Sequence, residues 1–215
     1  MTGEGRTGML KIWGRTTSSN VMKVLWTCAE IGLPFERYDI GGPFGGNDTP
    51  EYLALNPNGL VPTIEDDGFV LWESNSIVRY LAAKHDSGGL CPADLKQRAD
   101  AERWMDWQLT VLGPAYIPIF FQLVRTPAAE RDPAVIDAAV EKSAKALAIL
   151  EDRMRDRRFL CGDRPTIGDI PFGPILHRWF RLDFKRPPFP HVQRWYERLC
   201  EREGFRKHIV DVPMS

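Results

Sequence analysis

The spacing of hydrophobic residues changes twice along this chain, and the changes outline its parts. Met9–Trp13 (MLKIW) is an apolar run of strand length. After the polar loop Gly14–Ser19, apolar residues fall at Val21, Val24, Leu25 and Cys28. That is the spacing of one helix face, so a helix is predicted over Asn20–Ile31. Gly32 suits the position just past its end, and Pro34 stops it. Phe35–Ile40 reads as a second strand. Strand, helix and strand within about thirty residues make a βαβ unit, whose crossover is expected to be right-handed. Pro50–Leu55 has room for one or two helical turns. Val61–Glu65 and Phe69–Trp72 are predicted strands joined by a hairpin at Asp66-Asp67-Gly68. Ser74–Lys84 then places Ile77, Val78 and Leu81 on one helical face.

Beyond this point the period is helical throughout. His85–Asp94 (HDSGGLCPAD) is polar, with two glycines and a proline, and reads as a linker over residues 86–94. Leu95–Leu112 is a tryptophan-rich helical pattern that Pro114 and Pro118 are expected to bend or end. Asp132-Pro133 is a cap followed by proline at the first helical position, opening a helix to about Arg157. Thr166-Ile167-Gly168-Asp169 is a variant capping box with Asp in place of Glu. Pro171 is tolerated in the first turn that follows, and Pro174 is expected to bend that helix. Pro190 opens a last helix, ending at Gly204. A small α/β domain over residues 9–85 is thus expected to precede an all-helical domain over residues 95–215. Gly3, Gly5 and Gly8 make the start of the chain a poor helix and an expected loose tail.

Composition narrows the classes of function. The chain has 215 residues, 43% hydrophobic and 27% charged, with a formal net charge of -1. It reads as soluble and globular, and the lack of a basic block argues against a nucleic-acid partner. No uninterrupted apolar run is long enough for a bilayer span or a secretory leader, so the expected location is the cytoplasm. Cys28, Cys91, Cys161 and Cys200 are scattered, without C-x-x-C or paired-histidine spacing. They signal neither a metal site nor a dithiol pair and are expected to be reduced and mostly buried. The glycine-rich loop Gly41–Thr49 lacks the Lys-Ser/Thr ending of a phosphate loop.

The segment Asn56–Leu81, NPNGLVPTIEDDGFVLWESNSIVRYL, holds the densest chemistry. It sets a Val61-Pro62 step close to Glu73-Ser74, where a helix begins. A helix N-terminus offers free N–H groups and partial positive charge, which suits a carboxylate, while Glu73 suits an ammonium. Such a site can hold a small peptide by its backbone and its charged end. The bland alternatives are an edge-strand proline and an ordinary N-cap.

The order NPNGLVPTIEDDG, then ESNSIVRYL, flanked by SSNVMKVLW, ERWMDW and FLCGDRPTIGDI, resembles the cytosolic glutathione transferase family over about Met9–Gly204. The resemblance implies a thioredoxin-like βαβ-ββα domain with a mixed four-stranded sheet, followed by a helical bundle. It implies a homodimer, glutathione as co-substrate and no metal. It also makes Val61-Pro62 the family's cis-proline, which would turn the Val61 backbone towards the cysteinyl part of glutathione in the manner of an added strand. Glu73 and Ser74 would hold the γ-glutamyl end, and Asn47 is a candidate for the glycyl carboxylate.

The thiol is the reacting group. A free thiol has a pKa of about 8.5, and ionising most of it at neutral pH takes about 2.7 kcal/mol in favour of the anion. One charge-assisted hydrogen bond supplies about 1.5–3 kcal/mol. The SSN-x-x-KV spacing resembles the zeta-class pattern, which puts the donor at Ser18. A theta-class register puts it at Ser19, and Asn20, standing where the zeta-class pattern has cysteine, is a third candidate. The electrophile is expected between the domains, with Trp13, Trp104, Trp107, Tyr116 and Phe120 as candidate walls. Alternatives on the same fold are a glutathione-dependent disulfide reductase, peroxidase or isomerase. A non-catalytic interaction module is an alternative of another class.

Overall fold

The computed structural model describes residues 8–214, so most of the glycine-bearing start of the chain lies outside the described residues. Strand β1 (Leu10–Trp13) leads into helix α1 (Ser19–Glu30) and strand β2 (Phe35–Tyr38), with β1 and β2 parallel. Helix α1 stops where expected. Gly32 lies at φ 64°, and the Leu33 N–H reaches back to the Cys28 carbonyl at 2.9 Å, so the free carbonyls of the last turn are satisfied.

A short 3₁₀ turn (Gly42–Phe44) and α2 (Pro50–Leu55) lead to β3 (Thr63–Asp66) and β4 (Phe69–Trp72). The sheet order is β2-β1-β3-β4, with β3 antiparallel to both neighbours. Asp67 and Gly68 both take positive φ, 51° and 84°, as the two-residue hairpin between β3 and β4 demands. Pairing in β3 begins only at Thr63, so Val61 lies outside the ladder, and the Val61-Pro62 bond is cis. Helix α3 (Ser74–His85) then packs on α1.

Residues 86–94 form an anchored turn. Asp86 accepts the Leu90 N–H, the Leu90 carbonyl accepts the Ile167 N–H, and Leu90 and Cys91 are buried. Asp94 caps α4 (Leu95–Trp107) by accepting the Lys96 and Gln97 N–H groups. Here the structure departs from the sequence reading, because Pro114 and Pro118 do not end the helical run. It continues through a π segment (Gln108–Leu112), α5 (Gly113–Phe120) and a second π segment (Phe121–Arg125). The Gly113 N–H reaches the Gln108 carbonyl five residues back, so the ladder has already changed register where Pro114 would have broken it.

The run Leu95–Arg125 is also long and apolar enough to cross a bilayer by length and composition, which the sequence reading did not anticipate. Its Gln108, Leu112, Tyr116 and Ile119 are nevertheless buried, and α5 packs along α6 (Pro133–Arg153), which ends before the expected Arg157. Helices α7 (Phe172–Arg181) and α8 (Pro190–Cys200) follow. The chain stays helical beyond Gly204, through the short α9 (Glu203–Phe205) and a π segment (Arg206–Val210). Because α7 begins at Phe172, Pro174 falls in its first turn, where no N–H partner is missed.

The Asp169 carboxylate performs the expected box and more. It accepts the Thr166 N–H at 2.8 Å, the Thr166 hydroxyl at 3.2 Å and the Leu160 N–H at 2.9 Å. Its burial raises its pKa to about 6 despite those donors.

Two apolar clusters form the interior. One lies between the sheet and the helices α1 and α3, with Ile12, Val24, Leu25, Ile64, Ile77 and Leu81 at its centre. The other fills the helical part and also takes in Met22 and Trp26 from α1 and Val78 and Ala82 from α3. The join is tight. A Cβ added at Gly173 would sit 2.8 Å from the Trp26 ring and 2.9 Å from the Phe205 ring.

Candidate active site

Helices α1 and α3 start side by side, and their first residues touch. The Ser74 hydroxyl donates to the Asn20 side-chain oxygen at 3.3 Å, linking the two N-termini. Ser18 is the residue before α1, but its hydroxyl makes no capping bond to the helix, so it is not spent on the fold. Ser18 and Ser19 are half-buried, Asn20 and Glu73 are exposed, and Ser74 is buried. Glu73 occupies the cap position of α3 at φ 74° without bonding that helix through its side chain.

Asn47 has a structural task already. Its amide donates to the Gly59 carbonyl at 2.8 Å and braces the turn before Val61. Asn58 bonds only to Asn56 in that turn, as a turn residue should.

A cavity of about 280 Å3 opens against the start of α1, between α1, α5 and α7. Ser19 and Asn20 line it, whereas Ser18 does not. Of the aromatic walls expected from the sequence, Tyr116 and Phe120 are present. The other three lie elsewhere. Trp13 stacks on Tyr38 at 5.4 Å, Trp104 packs edge-on to Trp107, and Trp107 stacks on Phe172. Tryptophans at helical spacing on α4 went into the helical core because that face has neighbours to bury them.

The cavity holds two buried cations that sequence reasoning did not place there. Lys23 is 3% exposed, and its ammonium donates to the side-chain oxygens of Asn75 at 3.4 Å and Gln108 at 3.5 Å. Burial lowers its pKa to about 8, with partial relief from the Glu73 charge. Arg178 is 5% exposed. Its guanidinium lies 4.1 Å from the centre of the Phe120 ring and donates to the Thr17 carbonyl at 3.1 Å, joining α7 to the loop before α1. Desolvation lowers its pKa, and the charges of Arg125 and Arg15 push the same way. Lys23 left a trace in the sequence, as a charge among the apolar residues of α1. Arg178 left none.

Arg15 lies flat on the loop Gly41-Gly42, where a Cβ at Gly42 would stand 2.9 Å from its Nε. The glycine-rich loop is therefore a seat for an arginine. The four cysteines are free, and burial pushes Cys28 up to about 12, which keeps it protonated. Among the described residues, no group of three or more His, Cys, Asp or Glu side chains gathers as metal ligands do. His177 and Trp179 are core residues, with His177 Nδ1 2.9 Å from the Tyr196 hydroxyl. Asp106 pairs with Arg79, linking α4 to α3.

A thioredoxin-like sheet joined to a helical bundle, with a cleft at the N-termini of α1 and α3, defines a two-domain architecture with its candidate site where the domains meet. The comparisons with known proteins agree. Residues 17–84 match the family model for the glutathione S-transferase N-terminal domain, and residues 112–203 match that for the C-terminal domain. Glutathione S-transferase GstB of Escherichia coli (strain K12) is 43% identical over 209 residues, covering 96% of this chain and all of that one. Maize glutathione S-transferase 3 is 33% identical over 216 residues, covering 95% of each. The crystal structure of a theta class glutathione S-transferase from the citrus canker pathogen Xanthomonas axonopodis pv. citri, with glutathione bound, superposes with a TM-score of 0.92. It is 44% identical and covers 96% of this chain and 99% of that one. The chain belongs to the glutathione S-transferase family.

Proposed function

We propose that this glutathione transferase binds reduced glutathione across the starts of α1 and α3 and conjugates its thiolate to a small electrophile held in the adjoining cavity. The observation that carries the reading is the Ser74–Asn20 hydrogen bond, which brings two helix N-termini together at the mouth of a largely apolar cavity. In this reading the Val61 backbone, which lies outside the ladder beside Pro62, pairs with the cysteinyl backbone. The buried Ser74 and the free N–H groups of α3 take the γ-glutamyl carboxylate, and Glu73 takes the ammonium.

Ser18 donates to the sulfur, supported by a hydroxyl unused by the helix, with Ser19 and Asn20 as the other candidates. A single bond to an anion is worth about 1.5–3 kcal/mol, which matches the ~2.7 kcal/mol that ionising the thiol requires. The protein needs no nucleophile of its own, since Cys28 is buried and protonated. The glycyl carboxylate is assigned to the turn around Asn47, though the bond from Asn47 to Gly59 leaves one amide hydrogen for that contact. Tyr116 and Phe120 form part of the electrophile wall.

We further assign the chain to a cytoplasmic, detoxifying homodimer, with the two domains divided at residues 86–94. Calorimetric titration with glutathione is expected to show binding that Ser74→Ala weakens about tenfold, the worth of one hydrogen bond to a charged group. Parallel assays with an aryl halide, a hydroperoxide and a mixed disulfide are expected to favour the halide. No binding of glutathione, or turnover of the disulfide alone, overturns the assignment.

A further inference from the structure

Resting on that reading, we propose that the second substrate carries a carboxylate or similar oxyanion, received by Tyr116, Arg178 and Lys23. Each of these side chains lines the cavity and is more than nine-tenths buried. The Tyr116 hydroxyl is buried without a hydrogen-bond partner. Lys23 meets only the neutral amide oxygens of Asn75 and Gln108, and Arg178 only a carbonyl and an aromatic face. Among the described residues, no carboxylate lies within ion-pair distance of either cation. Glu73 acts on Lys23 only through its longer-range field. Among the described residues, none that is acidic lines the cavity, and the charges of Arg15 and Arg125 add to the positive field at Arg178.

Two buried charges without a counterion are costly, and the unpartnered Tyr116 phenol near Arg178 adds to the cost. An oxyanion from outside satisfies the Tyr116 phenol and the Arg178 guanidinium together, since these two groups act on each other directly, while Lys23 adds positive charge from the same cavity. The remaining walls (Ile117, Phe120, Phe121 and Ile175) are apolar and suit the body of the same molecule. Ser19 and Asn20 lie in the same cavity, so a substrate anchored by its anion presents its electrophilic carbon towards the start of α1. Glutathione brings carboxylates of its own, so the test must vary the charge on the other partner.

Two aryl chlorides serve as probes, para-chloro-meta-nitrobenzoate and its neutral carboxamide. In each, the thiolate sulfur bonds to the chlorine-bearing carbon, the C–Cl bond breaks, and chloride leaves with its electron pair. The thiol proton has gone to solvent on ionisation. Rates are normalised to the uncatalysed reaction with glutathione, and both purified conjugates are titrated calorimetrically. The wild-type protein is expected to favour the carboxylate about tenfold or more, in kcat/KM and in conjugate affinity, as one or more charge-assisted bonds imply. Tyr116→Phe and Lys23→Met are each expected to shrink that preference several-fold while glutathione affinity stays near wild type. Arg178→Gln should do the same, but its bond to Thr17 makes the other two variants the safer test. Equal affinity for the two conjugates, with glutathione binding intact, overturns this proposal alone. An equal preference in wild type and all variants also overturns it. Failure to bind glutathione at all overturns both this proposal and the transferase reading beneath it.

Discussion

Replacing Lys23 with methionine should make the protein more stable, because the cleft keeps a charge that the fold would rather lose. Methionine preserves an unbranched chain of similar length and removes the ammonium. Burial lowers the Lys23 pKa from 10.5 to about 8. At about 1.4 kcal/mol per pKa unit, holding the charged form in the folded state costs ~3 kcal/mol. Between those two values the unfolded chain keeps a proton that the folded chain has released, so wild-type stability gains from rising pH in that window. The penalty is full below pH 8, shrinks as pH climbs towards 10.5, and is absent above it.

Against this gain, the substitution removes hydrogen bonds to Asn75 and Gln108 that are already long, at 3.4 and 3.5 Å. Their loss takes back roughly 0.5–1.5 kcal/mol. Lys23→Met is therefore expected to be about 1.5–2.5 kcal/mol more stable than wild type at pH 7, or several degrees in melting temperature. The gap should fall by ~3 kcal/mol between pH 8 and pH 10.5 and change sign within that window. Urea denaturation of both proteins across that pH range measures it directly, since other ionisations cancel in the difference. A gap that stays flat from pH 7 upward would refute the reasoning, because the lysine would then carry no penalty for its charge.

Ser18→Ala is expected to lower kcat/KM about ten- to a hundredfold and to move the rising limb of the pH–rate profile upward, as loss of one bond to the thiolate implies. An unchanged profile would transfer the role to Ser19 or Asn20. Gly173→Ala pushes a methyl group into Trp26 and Phe205, and should cost about 1–3 kcal/mol by chemical denaturation. His177, buried against Tyr196 with a pKa lowered to about 4, must charge as the protein unfolds in acid. Its contribution is intact above pH 6.5, the ordinary value, and is lost as pH falls towards 4, so His177→Phe should flatten the decline in melting temperature over that window. Cys28→Ala should leave conjugation intact while lowering stability, since its thiol is packing material in the sheet core.

The α/β half was legible because its punctuation is local. Gly32 and Pro34 end α1, and Asp67-Gly68 turns the hairpin; in the helical half, Asp132 caps its helix by the same kind of local bond, spanning two residues. The unbroken run through Pro114 and Pro118 was not legible. It depends on a π turn at Gln108–Leu112 that no residue preference announces. The candidate site divides along the same line. Ser18, Asn20 and Ser74 lie in short motifs that resemble the family's, so the resemblance could nominate them. Arg178 reaches the loop before α1 across 161 residues of chain, a meeting that only the packing of α7 against α1 produces. Trp104 and Trp107 were nominated for the cavity wall because they are large and aromatic, but the same property draws them into the core.

Helix α1 gives Val24 and Leu25 to one apolar cluster and Met22 and Trp26 to the other, and α3 is shared in the same way. Cutting the chain after α3 would strip cover from Trp26 and leave a large aromatic surface facing water. A calorimetric scan should accordingly contain one endotherm, and neither half should survive alone as a well-behaved fragment. The seam between sheet and helices belongs to the chain's topology, while its energetics run straight across.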